Sequence, residues 1–78
     1  MSERHTPAEL VEFLAKGIVR SPEAVRVRVV EGGQLLELET AQEDRGRVIG
    51  RQGRVAKALR ALVASSRTGA DVQLEIVD

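Results

Sequence analysis

The sequence predicts an α+β domain in which three helices pack on one face of a three-stranded sheet. Two observations carry that prediction. First, apolar spacing is helical through Leu10, Phe13, Leu14 and Ile18, then alternating through Val25, Val27, Val29, Leu36 and Leu38. It turns helical again through Val55, Leu59, Leu62 and Val63, and alternates once more through Val72, Leu74 and Ile76. Second, the changes are punctuated, by Thr6-Pro7-Ala8-Glu9 before the first helix and by Gly32-Gly33 inside the first alternating region.

Taken in order, Thr6 reads as an N-cap, Pro7 as the first helical residue and Glu9 as the reciprocal member of a capping box. Leu10, Phe13, Leu14 and Ile18 define a buried stripe that Val11 widens, with Phe13, the one aromatic residue, assigned to the core. Ser21-Pro22 ends this helix, because a residue before proline avoids helical angles. A hairpin follows, Ala24 to Glu31 pairing with Gln34 to Thr40 across Gly32-Gly33. Pairing outward from the turn sets Val29 opposite Leu36, Val27 opposite Leu38, Arg28 opposite Glu37 and Arg26 opposite Glu39. Arg26 and Arg28 are therefore expected to be matched by carboxylates and to contribute little to binding. Gln42-Glu43-Asp44 suits a helix N-terminus, with Glu43 and Asp44 read as helix-end electrostatics, and Arg45 to Ile49 is a short helix. The strongest helix runs from Arg54 to about Ser66, closed by Thr68-Gly69, and Asp71 to Asp78 is a final strand.

Seventy-eight residues support one domain over 1–78, with residues 1–5, ahead of the first cap, expected as a flexible N-terminus. With 42% apolar and 31% charged residues the chain has the composition of a soluble globule rather than a disordered one. It has no cysteine, which excludes disulfides and thiolate metal sites and fits a reducing compartment. No apolar run reaches membrane-spanning length, and Met1 to His5 lacks a signal-peptide pattern. A cytoplasmic protein with no membrane partner is the expectation.

Function is concentrated around Val48-Ile49-Gly50-Arg51-Gln52-Gly53-Arg54-Val55. The two glycines permit backbone conformations closed to other residues and close approach of a ligand. The following helix opens with N–H groups read as unpaired and with its positive dipole end, which favours an anion, phosphate above all. Arg51 and Arg54 can pair with phosphate oxygens. G-x-x-G alone is weak, since a helix-to-helix turn has the same form. Charge strengthens it. Arg45, Arg47, Arg51, Arg54, Lys57, Arg60 and Arg67 lie in a stretch without a carboxylate, while the rest of the neutral chain carries five cations and all twelve carboxylates.

The segment from Val48 to Leu59 resembles the signature of the KH domain, a nucleic-acid-binding module built on a strand, helix, G-x-x-G loop, helix and strand. The extra helix and strand ahead of that core resemble the type II, prokaryotic arrangement. The small size resembles the free-standing bacterial KH proteins of the KhpA kind. The resemblance covers nearly the whole chain. It implies a mixed sheet with two of three strands parallel, in the order helix, strand, strand, helix, G-x-x-G loop, helix, strand. It also implies a groove for about four single-stranded nucleotides beside the loop. There Gly50 and Gly53 would admit the backbone, Arg51, Gln52 and Arg54 would contact phosphates, and Lys57 would extend that contact. Val48 and Ile49 are candidates for the apolar floor, one of the two reaching it. Arg45, Arg47, Arg60 and Arg67 would supply general attraction. Ala56 departs from the isoleucine many KH domains carry.

Other classes fit less well. With one Phe and no Tyr or Trp, the chain lacks the aromatic platforms of sheet-based RNA binders. Its one histidine, His5, precedes the first cap, and no cysteine or clustered carboxylate pair offers a nucleophile or metal site, so neither an enzyme nor a cofactor is expected. Gly53 is not followed by the Lys-Ser or Lys-Thr of a P-loop. Single-stranded RNA is the expected partner, with a homodimer or a second KH-domain protein supplying a further site. The expected role is post-transcriptional regulation or RNA chaperoning. A protein-interaction module, its basic helix docking a protein partner, is the alternative.

Overall fold

The computed structural model describes residues 6–65 and 72–77. Its elements are α1 (Pro7–Ile18), β1 (Arg26–Val30), β2 (Leu35–Glu39), α2 (Arg45–Ile49), α3 (Arg54–Ser65) and β3 (Gln73–Val77). The sheet has the order β1-β2-β3, with β1 and β2 antiparallel and β2 and β3 parallel. The hairpin needs only a short turn, whereas the parallel pair requires the crossover that α2, the glycine loop and α3 provide. This is the mixed sheet, with two of three strands parallel, that the resemblance implies.

The α1 capping box forms as the sequence predicts. Glu9 N–H donates to Thr6 Oγ1 at 3.1 Å and Thr6 N–H donates to Glu9 Oε1 at 3.0 Å. The buried face of α1, however, differs from the expectation. Val11 and Ala15 are fully buried, with Ala8 and Val19 packed beside them, while Phe13, expected in the core, is 75% exposed. Leu14 and Ile18 are exposed as well, and Leu10 is half-buried. The smaller stripe wins because Ala8, Val11, Ala15 and Val19 also recur at helical spacing and let the helix backbone lie close to its neighbours. The helix also stops earlier than Ser21-Pro22, at a Val19 cap in extended conformation.

The hairpin register agrees with the sequence reading at all four predicted pairs and adds Val30 opposite Leu35. The strands are shorter than read, since Pro22–Ala24 forms a 3-10 turn and residues 31–34 form the connection. Gly32 and Gly33 both have positive φ, 66° and 95°, which is why the turn takes glycine. On the outer face Arg28 Nη2 lies 2.8 Å from Glu37 Oε1. Arg26 stands opposite Glu39 in register, but its Nη1 donates to the Glu23 and Val25 carbonyls at 2.8 and 3.0 Å.

Leu36, Leu38, Leu74, Val11, Ala15, Val25, Val48, Leu59 and Val63 form one core between helices and sheet. On α3 the inward residues are Ala56, Leu59 and Val63, with Val55 and Leu62 half-buried. Val72 and Ile76 flank Leu74 at the sheet end. The Thr68-Gly69 helix stop, Arg67, the N-terminal residues 1–5 and the outer residues of the final strand lie outside the described residues.

Candidate nucleic-acid interface

The glycine loop is held from both ends. On its N-terminal side Val48 is fully buried in the core, while its neighbour Ile49 is 37% exposed. Gly50 caps α2 by donating its N–H to Gly46 O at 2.8 Å. Its angles, φ 80° and ψ 168°, lie in a region essentially reserved for glycine. A Cβ there would come within 2.5 Å of Val55 Cγ2 and 2.8 Å of Val55 N. Gly50 thus admits a neighbour within the domain, the start of α3. Gly53, with φ 73°, has no atom of the described residues beyond its chain neighbours within 4 Å of an added Cβ, so its freedom is conformational and its outer side is open.

Between the glycines the chain makes a single 3-10 turn over Arg51–Gly53. Gly53 N–H donates to Gly50 O at 3.0 Å, and Arg54 N–H donates to Arg51 O. These two amides are therefore spent inside the turn, a correction to their reading as unpaired donors. Gln52 takes the left-handed conformation, φ 58° and ψ 25°, and its Oε1 accepts from Arg54 Nη2 at 3.2 Å. Arg51, Gln52, Arg54 and Lys57 are all exposed, so their side chains form one polar surface from the loop onto the first turns of α3.

The wider basic set divides. Arg47 Nε lies 3.3 Å from Asp44 Oδ1. Arg60 Nε donates to Leu74 O at 3.1 Å and ties α3 to β3. Arg45 is half-buried and engaged within the domain. Arg51, Arg54 and Lys57 reach solvent from the loop and the start of α3.

Asp44 itself has a different role from the helix-end electrostatics read in the sequence. It is fully buried, makes no side-chain cap to α2, and accepts the N–H groups of Arg20 and Ser21 at 3.1 and 3.0 Å. Burial pushes the Asp44 carboxyl up, but those two N–H groups and the Arg47 guanidinium outweigh it and hold it below the usual carboxylate range. The carboxylate thereby fastens the bend after α1 to the segment that carries the glycine loop.

Comparison with known proteins bears on this geometry. The family model for the KhpA/KhpB KH domain matches residues 8–76. The chain belongs to this family. It is 42% identical to RNA-binding protein KhpA of Borreliella burgdorferi over 82 aligned residues, covering 100% of both chains. To RNA-binding protein KhpA of Clostridium perfringens it is 47% identical over 73 residues, 88% of this chain and 97% of the relative. To that of Caldanaerobacter subterraneus subsp. tengcongensis it is 48% identical over 60 residues, 74% and 80% of the two chains. No solved structure gives a significant match.

In this KH domain Ala56, which departs from the common isoleucine, is buried on the inner side of α3. Two positions that shape the loop escaped the sequence reading. Asp44 gave only the signal of an acid before a helix, and its partners are 23 and 24 residues away. Val55 was read as part of a buried helix face, and nothing in its spacing marks the contact with Gly50.

Proposed function

We propose that the protein binds single-stranded RNA, seating about four nucleotides beside the Gly50–Gly53 loop, in post-transcriptional regulation or RNA chaperoning. The observation that carries this reading is the exposed loop, fixed by Gly50 against Val55, from which Arg51, Gln52 and Arg54 reach solvent together. The names of the KhpA relatives support RNA as the ligand. Because the Gly53 and Arg54 amides serve the turn, phosphate is held mainly by side chains, with Arg51 and Arg54 forming charge-assisted hydrogen bonds. Lys57 extends the contact, and Ile49 rather than buried Val48 offers the apolar surface beneath a base. One groove of this size has limited affinity. A second KH site, in a homodimer or a partner KH protein, would raise it through effective concentration.

The test is the double change Arg51→Asp and Gln52→Asp. Both side chains are exposed, so stability should stay within about 0.5 kcal/mol of the parent. Binding to an unstructured oligoribonucleotide should be lost, because two carboxylates replace the phosphate-facing groups. Full retention of binding would reduce the loop to a turn and favour a protein partner for the basic helix.

A further inference from the structure

The chain has ten arginines but only two lysines, Lys16 and Lys57, and the two lysines stand in opposite electrostatic settings. Lys16 Nζ lies 2.9 Å from Glu12 Oε2, one turn back on α1. Lys57 is exposed on α3, a helix without a carboxylate, and among the described residues no ion pair holds it. Its neighbours are cations. Arg54 is three residues back on the same helix, close enough for the two side chains to meet, and Arg51 lies in the turn just before. The three cations differ in their covalent chemistry. A guanidinium stays charged and resists acylation at neutral pH, whereas a lysine amine can become a neutral amide. Of Arg51, Arg54 and Lys57, only Lys57 carries a charge that acylation can remove.

We propose that Lys57 is an acylation site whose acyl donor is an acyl phosphate held by the arginines beside it. Arg51 and Arg54 take the donor's phosphate oxygens in charge-assisted hydrogen bonds. That brings the adjoining carbonyl carbon to the Lys57 amine one turn along the helix. The neutral amine attacks this carbon, and the C–N bond forms as the C–O bond to phosphate breaks. The leaving oxygen takes the electron pair, and the nitrogen gives its proton to the departing phosphate. The products are inorganic phosphate and an uncharged amide, and nothing is oxidised or reduced. Lys16 is disfavoured, since Glu12 both holds its ammonium and repels a phosphate. The acyl transfer itself needs only the anion-holding arginines, while its effect on RNA rests on the RNA reading above. There one cation of three is lost, so the salt slope falls from about −2 to about −1.4 and affinity drops about fivefold at about 0.1 M salt.

The full chain, treated with acetyl phosphate at neutral pH and then cleaved at arginine, gives Lys16 within residues 5–20 and Lys57 within residues 55–60. Mass spectrometry then reads each lysine separately. Lys57 should be acetylated about fivefold faster than Lys16, or more. Inorganic phosphate, compared with chloride at matched ionic strength, should slow Lys57 alone. Arg51→Gln combined with Arg54→Gln should bring the two rates together. Equal rates in the parent overturn the site. A preference that survives the arginine changes or excess phosphate overturns the held donor. The acetylated chain should bind an unstructured oligoribonucleotide about fivefold more weakly. Lys57→Arg, charged but inert to acylation, should lose no affinity on the same treatment. Undiminished binding by a chain acetylated at Lys57 overturns the effect on RNA. A parent that binds no RNA yet acetylates Lys57 selectively refutes the RNA reading and upholds the modification site.

Discussion

The two glycines of the loop should not be equivalent, and Gly50→Ala against Gly53→Ala separates their roles. At Gly50 alanine meets two penalties. Backbone angles of φ 80° and ψ 168° cost a non-glycine residue about 1–3 kcal/mol. The new Cβ would also lie 2.5 Å from Val55 Cγ2 and 2.8 Å from both Val55 Cβ and Val55 N, so α3 must shift. Together these set the expected loss at about 3 kcal/mol or more, a large part of the roughly 4–12 kcal/mol typical of a domain this size. At Gly53 there is no steric penalty. The positive φ costs about 1–2 kcal/mol, and the stiffer unfolded chain returns about 0.4–1 kcal/mol of it. The net loss there should be near 1 kcal/mol.

At about 4–8 °C per kcal/mol for a small domain, the melting temperature should fall by roughly 12 °C or more for Gly50→Ala and by roughly 4–8 °C for Gly53→Ala. Thermal unfolding followed by circular dichroism, with urea midpoints as a second measure, reads both. Adding Val55→Ala should not rescue Gly50→Ala, because it removes Cγ2 but leaves the Val55 Cβ and N in place. Equal losses at the two glycines, or full rescue by Val55→Ala, would refute the claim that Gly50 is there for α3.

Asp44 predicts an acid-sensitive fold. Its folded pKa lies below the unfolded value of about 3.9, so its contribution is complete above that pH and is lost as pH falls through the folded pKa. Asp44→Asn should be clearly less stable than the parent at pH 7, with the gap between their urea midpoints narrowing towards pH 2; a gap independent of pH would contradict the tether. For RNA affinity, the log–log slope against salt should be about −2, three cations at about 0.7 each on a single strand. Neutralising Arg51 and Arg54 with Gln should flatten it, whereas the same change at Arg26 and Arg28 should leave it nearly as it was. A salt-independent affinity would count against phosphate contact.

The hairpin was legible because a glycine turn fixes register and both strand faces agree with it, Val27 with Leu38 and Arg28 with Glu37. The face of α1 was not. Apolar residues occupy positions 8, 10, 11, 13, 14, 15, 18 and 19, so helical periodicity admits two stripes, and side-chain size pointed to the wrong one. Which stripe is buried depends on how closely the helix must approach its neighbours, a tertiary quantity absent from local spacing. The loop itself was visible as glycines and arginines. Its support was not, because Asp44 acts on backbone N–H groups of Arg20 and Ser21, and backbone groups leave no trace in residue identity.

That hidden support also decides how the basic segment divides. Seven cations in sequence suggest one broad positive surface, but position along the fold gives them unequal work. Arg47 lies against Asp44 and Arg60 holds β3 through Leu74 O, so moving either to follow a phosphate would break a contact that organises the domain. Among the described residues, Arg51, Arg54 and Lys57 carry no such cost beyond the exposed Gln52–Arg54 hydrogen bond. The loop between them is short, closed by its own hydrogen bonds and seated on Val55, so little backbone freedom remains to be lost when a ligand binds. On the proposed reading, affinity comes from a few exposed side chains on a pre-set turn, which is why a slope of about three contacts is expected rather than one of seven.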